Sequence, residues 1–185
     1  NPSLTDAFKA ALPGADPGSF NIENKMSLGQ ASEVFFMLII PFAYKRYGVK
    51  NIIIIGLLAW ILRFLLFGYG NASSGVWMFY IAILLHGVCY DFFFVTGQIY
   101  TDHKAGEKIK AQAQGLITLA TYGIGMFIGS IIAGKVKDLY TTQGEGVMAI
   151  TNWLKVWLVP AGIAAVVLLL FVLFFNDRKS APVSE

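Results

Sequence analysis

The sequence predicts an all-α fold, a polytopic transmembrane helical bundle, on three observations. Of the 185 residues, 56% are hydrophobic and 14% charged, against roughly 45–50% and about 25% in soluble domains. Apolar stretches long enough to cross a bilayer recur along the chain. Basic residues crowd into the short segments that join alternate stretches, as the positive-inside bias requires.

Five spans can be drawn, at about 26–44, 52–69, 76–100, 113–134 and 156–175. Each reaches the roughly 20 residues that a helix needs to cross hydrocarbon. Residues 1–25 are polar and rich in Pro and Gly and read as an outer loop. Within it Ser3–Leu12 is a short amphipathic possibility, with Ser3 and Asp6 at capping-box spacing and Pro13 ending the run. The first span carries Gln30, Glu33 and Pro41, and Lys45, Arg46 and Lys50 follow it. The second carries Arg63 and ends at Tyr69; the third runs from Trp77 to Tyr100 through His86 and Asp91. Lys104, Lys108 and Lys110 come next. The fourth holds Gly115, Gly123, Gly125, Gly129 and Gly134, and its Gly125-x-x-x-Gly129 pair is expected to mark close helix packing. The fifth contains Pro160 and leads to a tail, 177–185, with Arg178 and Lys179. Both prolines are expected to kink or loosen their helices.

The three basic segments, and with them the C-terminus, belong in the cytoplasm. The longer opposite segments carry only Lys9, Lys25, Lys135, Lys137 and Lys155. Trp77, Trp153, Trp157, Tyr69 and Tyr140 near the outer ends, and Tyr44, Tyr47 and Tyr100 near the inner ends, fit interfacial belts. The net charge of +3 therefore reads as topology rather than nucleic-acid binding. A single cysteine, Cys89, excludes a disulfide framework, and with only His86 and His103 beside it no metal site or cofactor is expected. Five spans is an odd count for a self-contained bundle, and the chain opens on Asn1; the reading is of a piece of a longer polypeptide with at least one further helix upstream.

Candidate functional residues are those that should not lie in hydrocarbon: Gln30, Glu33, Arg63, His86 and Asp91. Insertion of Arg or Asp at a helix centre costs about 2.5–3.5 kcal/mol, so such groups face protein or water. Gln30 and Glu33 share one helix face, three residues apart. Asp91 shares a face with Gly87, Phe94 and Gln98, beside the His86–Tyr90 pair. Desolvation disfavours an ionised carboxylate, which suits such groups to carrying protons. A carboxyl group donates a hydrogen bond when protonated and only accepts when ionised, so proton occupancy can be coupled to a polyhydroxylated solute. Tyr90 and Phe92–Phe94 offer rings for a flat base. Arg63 reads equally as an ion-pair partner of Glu33 or Asp91, as a snorkelling surface group, or as a ligand contact. The competing reading of both carboxylates is a buried pair that holds helices together.

Several runs resemble bacterial nucleoside:proton symporters, nucleoside permeases of the major facilitator superfamily: Met26-Ser-Leu-Gly-Gln-Ala-Ser-Glu33, Gly48-Val-Lys-Asn with Leu58-Ala-Trp-Ile-Leu-Arg-Phe64, Tyr90-Asp-Phe-Phe93 with Thr96-Gly97, Ala113-Gln-Gly115 and Ala133-Gly-Lys135. The resemblance covers nearly the whole chain. It implies that the five spans are helices eight to twelve of a twelve-helix transporter in the bacterial inner membrane, with helix seven and the N-terminal half lying upstream. It also implies import of nucleosides with protons by alternating access. Substrate would then be bound by Gln30, Glu33, His86, Tyr90, Asp91 and Phe94, with Glu33 and Asp91 coupling protons and Arg63 forming an ion pair or gate. The chain departs from the family pattern at three positions, with His86 for a tyrosine, Tyr90 for a phenylalanine and Phe94 for an asparagine. The alternatives are a sugar or oligosaccharide:proton symporter of the same superfamily, a membrane-embedded enzyme using Glu33, Asp91 and His86, and a structural membrane subunit. The enzyme reading lacks a nucleophile motif, metal-ligand spacing and a phosphate loop.

Overall fold

Long apolar runs with few polar side chains satisfy their backbone hydrogen bonds by coiling on themselves, and helix dominates the computed structural model accordingly. The structure describes residues 22–71, 74–142 and 150–176. Helix α1 spans Ile22–Tyr69 and α2 Val76–Tyr90. A π-helical turn follows at Asp91–Val95, then α3 at Thr96–Thr118. A second π turn occupies Leu119–Gly125 and leads into α4 at Met126–Leu139. Strands β1 (Thr141–Thr142) and β2 (Ile150–Thr151) pair antiparallel, and α5 spans Trp153–Phe174. Among the described residues three helical stretches are long and apolar enough to cross a membrane: Ser27–Tyr69, Val76–Leu139 and Trp153–Phe174.

The first two of these stretches are hairpins. Gly48 adopts φ 72°, ψ 165° inside α1, and Gly106 adopts φ 68°, ψ 168° inside α3, a conformation essentially restricted to glycine. Glu33 and Arg63, thirty positions apart, both reach the His86 ring. In a straight helix about 45 Å would separate them. The arms 22–47 and 49–69 must therefore lie antiparallel, and Ile40 and Ala43 duly pack with Ile52 across the reversal. Likewise Tyr90 and Tyr122 touch across 32 positions, and the Gln114 side chain donates to the Gln98 carbonyl at 2.8 Å. Both reversals fall within the basic segments expected to separate spans, yet one glycine makes each break and no loop intervenes.

The second arm of α1 is the centre of the packing. Val49, Ile53 and Leu57 pack against Leu168, Phe171 and Phe175 at one end, and Trp157 stacks on Phe67 at the other, ring centres 5.0 Å apart. Helix α5 thus runs antiparallel to that arm. Lys50 ties the ends together by donating to the Val172 carbonyl at 3.1 Å. Asn152 caps α5, its side chain accepting from the Lys155 N–H at 3.2 Å.

Several expectations change. The first helix begins at Ile22, inside the segment read as an outer loop. The fourth span is longer than drawn, helical from the Gly106 break to Leu139. Non-helical backbone inside the helices occurs at Gly48 and Gly106, not at Pro41 or Pro160. A Cβ at Gly115, Gly129 or Gly134 would meet nothing within 4 Å, and at Gly125 it would meet its own turn at Ala120 O. Among the described residues the glycine series therefore packs against no neighbouring helix. The Ser3–Leu12 segment, the rest of residues 1–21 and the tail after Asn176 lie outside the described residues.

Candidate functional site

Close approach of backbones builds the site. Gly87 lets α2 lie directly on the first arm of α1, where a Cβ would stand 2.6 Å from the Ser32 carbonyl carbon and oxygen and 2.8 Å from Glu33 N. The Gly87 N–H donates to Ser32 Oγ at 3.0 Å, and Ser32 Oγ donates to the Gly29 carbonyl at 2.6 Å. Gly56, on the second arm, lies against the π turn, where a Cβ would be 3.0 Å from Phe93 N and 3.1 Å from Phe92 C. These contacts bring Glu33, Arg63, His86 and Asp91 onto neighbouring rods.

Glu33, His86 and Arg63 form one chain. Arg63 Nη1 lies 2.6 Å from His86 Nδ1, and His86 Nε2 lies 2.8 Å from Glu33 Oε1. A guanidinium only donates, so Nδ1 must accept; the ring hydrogen then sits on Nε2 and is donated to the carboxylate. Both ring nitrogens are thus engaged, and the imidazole joins an acid to a base with no direct Glu33–Arg63 contact. The guanidinium carbon also lies 5.4 Å from the ring centres of both Trp60 and Phe67, in the range of cation–π attraction. Arg63 is therefore clamped on three sides.

Asp91 is different. It is fully buried, at 0% exposure, at the first position of the π turn. Neither carboxylate oxygen has a hydrogen-bond partner among the described residues, and the same holds for Arg63 Nε. Thr96 Oγ1 donates to the Asp91 backbone carbonyl at 3.1 Å, leaving the carboxylate itself unserved. An unpaired buried carboxylate is costly, so this position calls for a proton, a water or a ligand. π turns concentrate at functional sites because they interrupt the regular ladder and re-aim side chains.

Of the other candidates, Gln30 is exposed one turn before Glu33. Tyr90 and Phe94 are half-buried with ring centres 5.5 Å apart, and Tyr90 lies 6.2 Å from the His86 ring. Sequence reasoning did not single out Ser32 or Tyr122, and it placed Gly87 on the Asp91 face without giving it a role. A serine next to a charged residue and a glycine next to a histidine carry little signal alone. Among the described residues no group of three or more His, Cys, Asp or Glu is arranged to hold a metal.

Away from this cluster, Asp102 accepts from Gln114 Nε2 at 2.5 Å and pairs with Lys110 at 3.2 Å. The Gln114 hydrogen bond, followed by Lys110, holds its carboxyl below the ordinary aspartate value. The contact joins the two sides of the Gly106 reversal.

Comparison with known proteins gives consistent matches. A family model described as Nucleoside H+ symporter matches residues 19–180. Nucleoside permease NupG of Escherichia coli (strain K12) is 39% identical over 154 residues, covering 83% of this chain and 36% of that protein. Xanthosine permease of the same organism is 34% identical over 180 residues, 97% of this chain and 39% of its own length. Among solved structures, the crystal structure of nucleoside transporter NupG aligns with a TM-score of 0.77 at 34% identity, covering 94% of this chain and 43% of that one. The chain thus spans well under half the length of these relatives.

Proposed function

Since the chain belongs to the nucleoside H+ symporter family, we propose that it forms the C-terminal portion of a secondary active transporter that imports nucleosides with protons by alternating access. The two hairpins and α5 then supply five spans, helices eight to twelve of a twelve-helix carrier in the bacterial inner membrane, with the C-terminus in the cytoplasm. Helix seven and the N-terminal half of the same polypeptide complete the cavity.

The observation that carries this reading is Asp91, a fully buried carboxylate with both oxygens unpartnered among the described residues, on the turn that continues the helix carrying His86 of the Glu33–His86–Arg63 chain. In an apolar bundle such a group takes up a proton or meets a polar solute. Asp91 and Glu33 are assigned proton coupling and ribose recognition, because a carboxyl changes from donor to acceptor as its proton leaves. Gln30 offers a donor and an acceptor to the base or sugar, and Tyr90 and Phe94 offer their faces to the base. His86 is assigned to orienting Glu33 and Arg63, its two nitrogens being already engaged, and Arg63 to the ion-pair or gate role. Alternating access follows from rocking of two helical halves about this midplane site.

The test is pH-driven uridine accumulation by the complete transporter in vesicles. Asp91→Asn and Glu33→Gln should each abolish accumulation against a gradient; if both leave it unchanged, the coupling assignment is wrong. A parallel titration with uridine, adenosine, free uracil and lactose should rank the nucleosides first. Preference for lactose would identify a sugar symporter instead, and turnover of the ligand an enzyme.

A further inference from the structure

Tyr122 lies on the second π turn, Leu119–Gly125, far from any charged residue in sequence. Its hydroxyl hydrogen-bonds with that of Tyr90, the residue immediately before the first π turn, Asp91–Val95. Its ring centre is 6.3 Å from that of Phe94, which is itself 5.5 Å from that of Tyr90. Three rings thus close a triangle, with the hydroxyl pair along one side. Each π turn inserts an extra residue and swings the following side chains by about 100° relative to a regular helix. The Phe94 and Tyr122 rings bring the two wide turns together, and the Tyr90–Tyr122 hydroxyl pair adds a polar link beside them.

Each phenol has one O–H and two lone pairs. In a hydroxyl pair one O–H is consumed between the rings; the accepting hydroxyl keeps its own hydrogen, which has no protein acceptor among the described residues. The pair therefore presents one directed donor beside two aromatic faces, and Tyr90 immediately precedes Asp91, whose carboxylate is unpartnered among the described residues. A sugar hydroxyl attached to a flat base matches that combination of groups.

We propose that Tyr122 is a positioning residue of the nucleoside site, holding the Tyr90 phenol so that Tyr90 meets a ribose hydroxyl while Tyr90 and Phe94 flank the base. This rests on the nucleoside-carrier reading above. A merely structural pair would tie two helices together and affect all ligands alike.

The experiment measures equilibrium binding of uridine and 2′,3′-dideoxyuridine to the complete transporter and to its Tyr122→Phe, Tyr90→Phe and doubly substituted variants. Tyr122→Phe should weaken uridine binding roughly 3- to 10-fold, the loss of about one hydrogen bond. Dideoxyuridine binding should change far less, and the double variant should be no worse than Tyr90→Phe. Unchanged uridine binding, equal losses for both ligands, or multiplying effects in the double variant would each overturn the assignment. Failure of the unsubstituted protein to bind uridine would instead remove the carrier reading itself. The pair is read separately by 3-fluorotyrosine placed at position 122, whose 19F signal should shift on Tyr90→Phe without ligand; an unmoved signal sinks the proposal whatever the binding data show.

Discussion

Gly87→Ala tests the geometry on which the whole site depends. The added Cβ would stand 2.6 Å from the carbonyl carbon and oxygen of Ser32, where ordinary contact begins at 3.4 Å. Nothing in that contact is a flexible side-chain end, so the two backbones must part by about 0.8 Å before a normal packing distance is restored. His86 and Glu33 are the immediate neighbours of the clashing residues, and their contact is 2.8 Å. The same displacement carries it to about 3.6 Å, outside hydrogen-bonding range. Overpacking costs about 1–3 kcal/mol, and loss of the Gly87 N–H to Ser32 Oγ bond adds about 1 kcal/mol. The expected outcome is a loss of about 2–4 kcal/mol in equilibrium unfolding in mixed micelles, together with weakened uridine binding. Ser32→Ala, which removes this hydrogen bond and the one to the Gly29 carbonyl without the clash, should lose about 1–2 kcal/mol. A Gly87→Ala protein as stable as the parent, with uridine affinity intact, would refute the claim that this approach of helices builds the site.

His86→Ala leaves Arg63 Nη1 and Glu33 Oε1 without their shared partner; thermal unfolding should show a loss of about 1–3 kcal/mol, and Arg63→Met on that background should recover part of it by removing the stranded cation. No recovery would mean that the imidazole contributes packing alone. Asp102 gives a pH dependence of known sign. Its folded value lies below the unfolded one because Gln114 and Lys110 favour the ionised form, so its contribution is present above the ordinary carboxylate value of about 3.9 and is lost as pH falls through the folded value. The melting-temperature gap between the parent and Asp102→Ala should therefore be open at neutral pH and close in acid; a gap independent of pH would refute the assignment.

The legible part of this molecule is what hydrocarbon makes expensive. Glu33, Arg63 and Asp91 stand out because each costs several kcal/mol if exposed to lipid, and the breaks near Gly48 and Gly106 stand out because lysines and arginines gather there. What joins the charges was not legible. An ion pair of Arg63 with Glu33 or Asp91 is one of three readings the sequence leaves open, and His86 instead stands between Arg63 and Glu33, because the contact exists only once the arms of α1 have folded back beside α2. The π turns leave no periodic mark, since one extra residue in a uniformly apolar run shifts no polar face. Without them Tyr122 has no apparent relation to Tyr90. Gly125-x-x-x-Gly129 is silent for a related reason: the pattern permits a close approach, and among the described residues no neighbouring helix makes one.

Gly48 and Gly106 share nearly the same backbone angles, φ 72°, ψ 165° and φ 68°, ψ 168°. A reversal made on one residue has no slack to absorb motion, so tilting one rod must drag its neighbour, as a crank drags its shaft. Each hairpin is on that account a stiff lever, and in the proposed carrier lengthening either elbow by a few flexible residues would damp the stroke while leaving the proposed cargo site untouched.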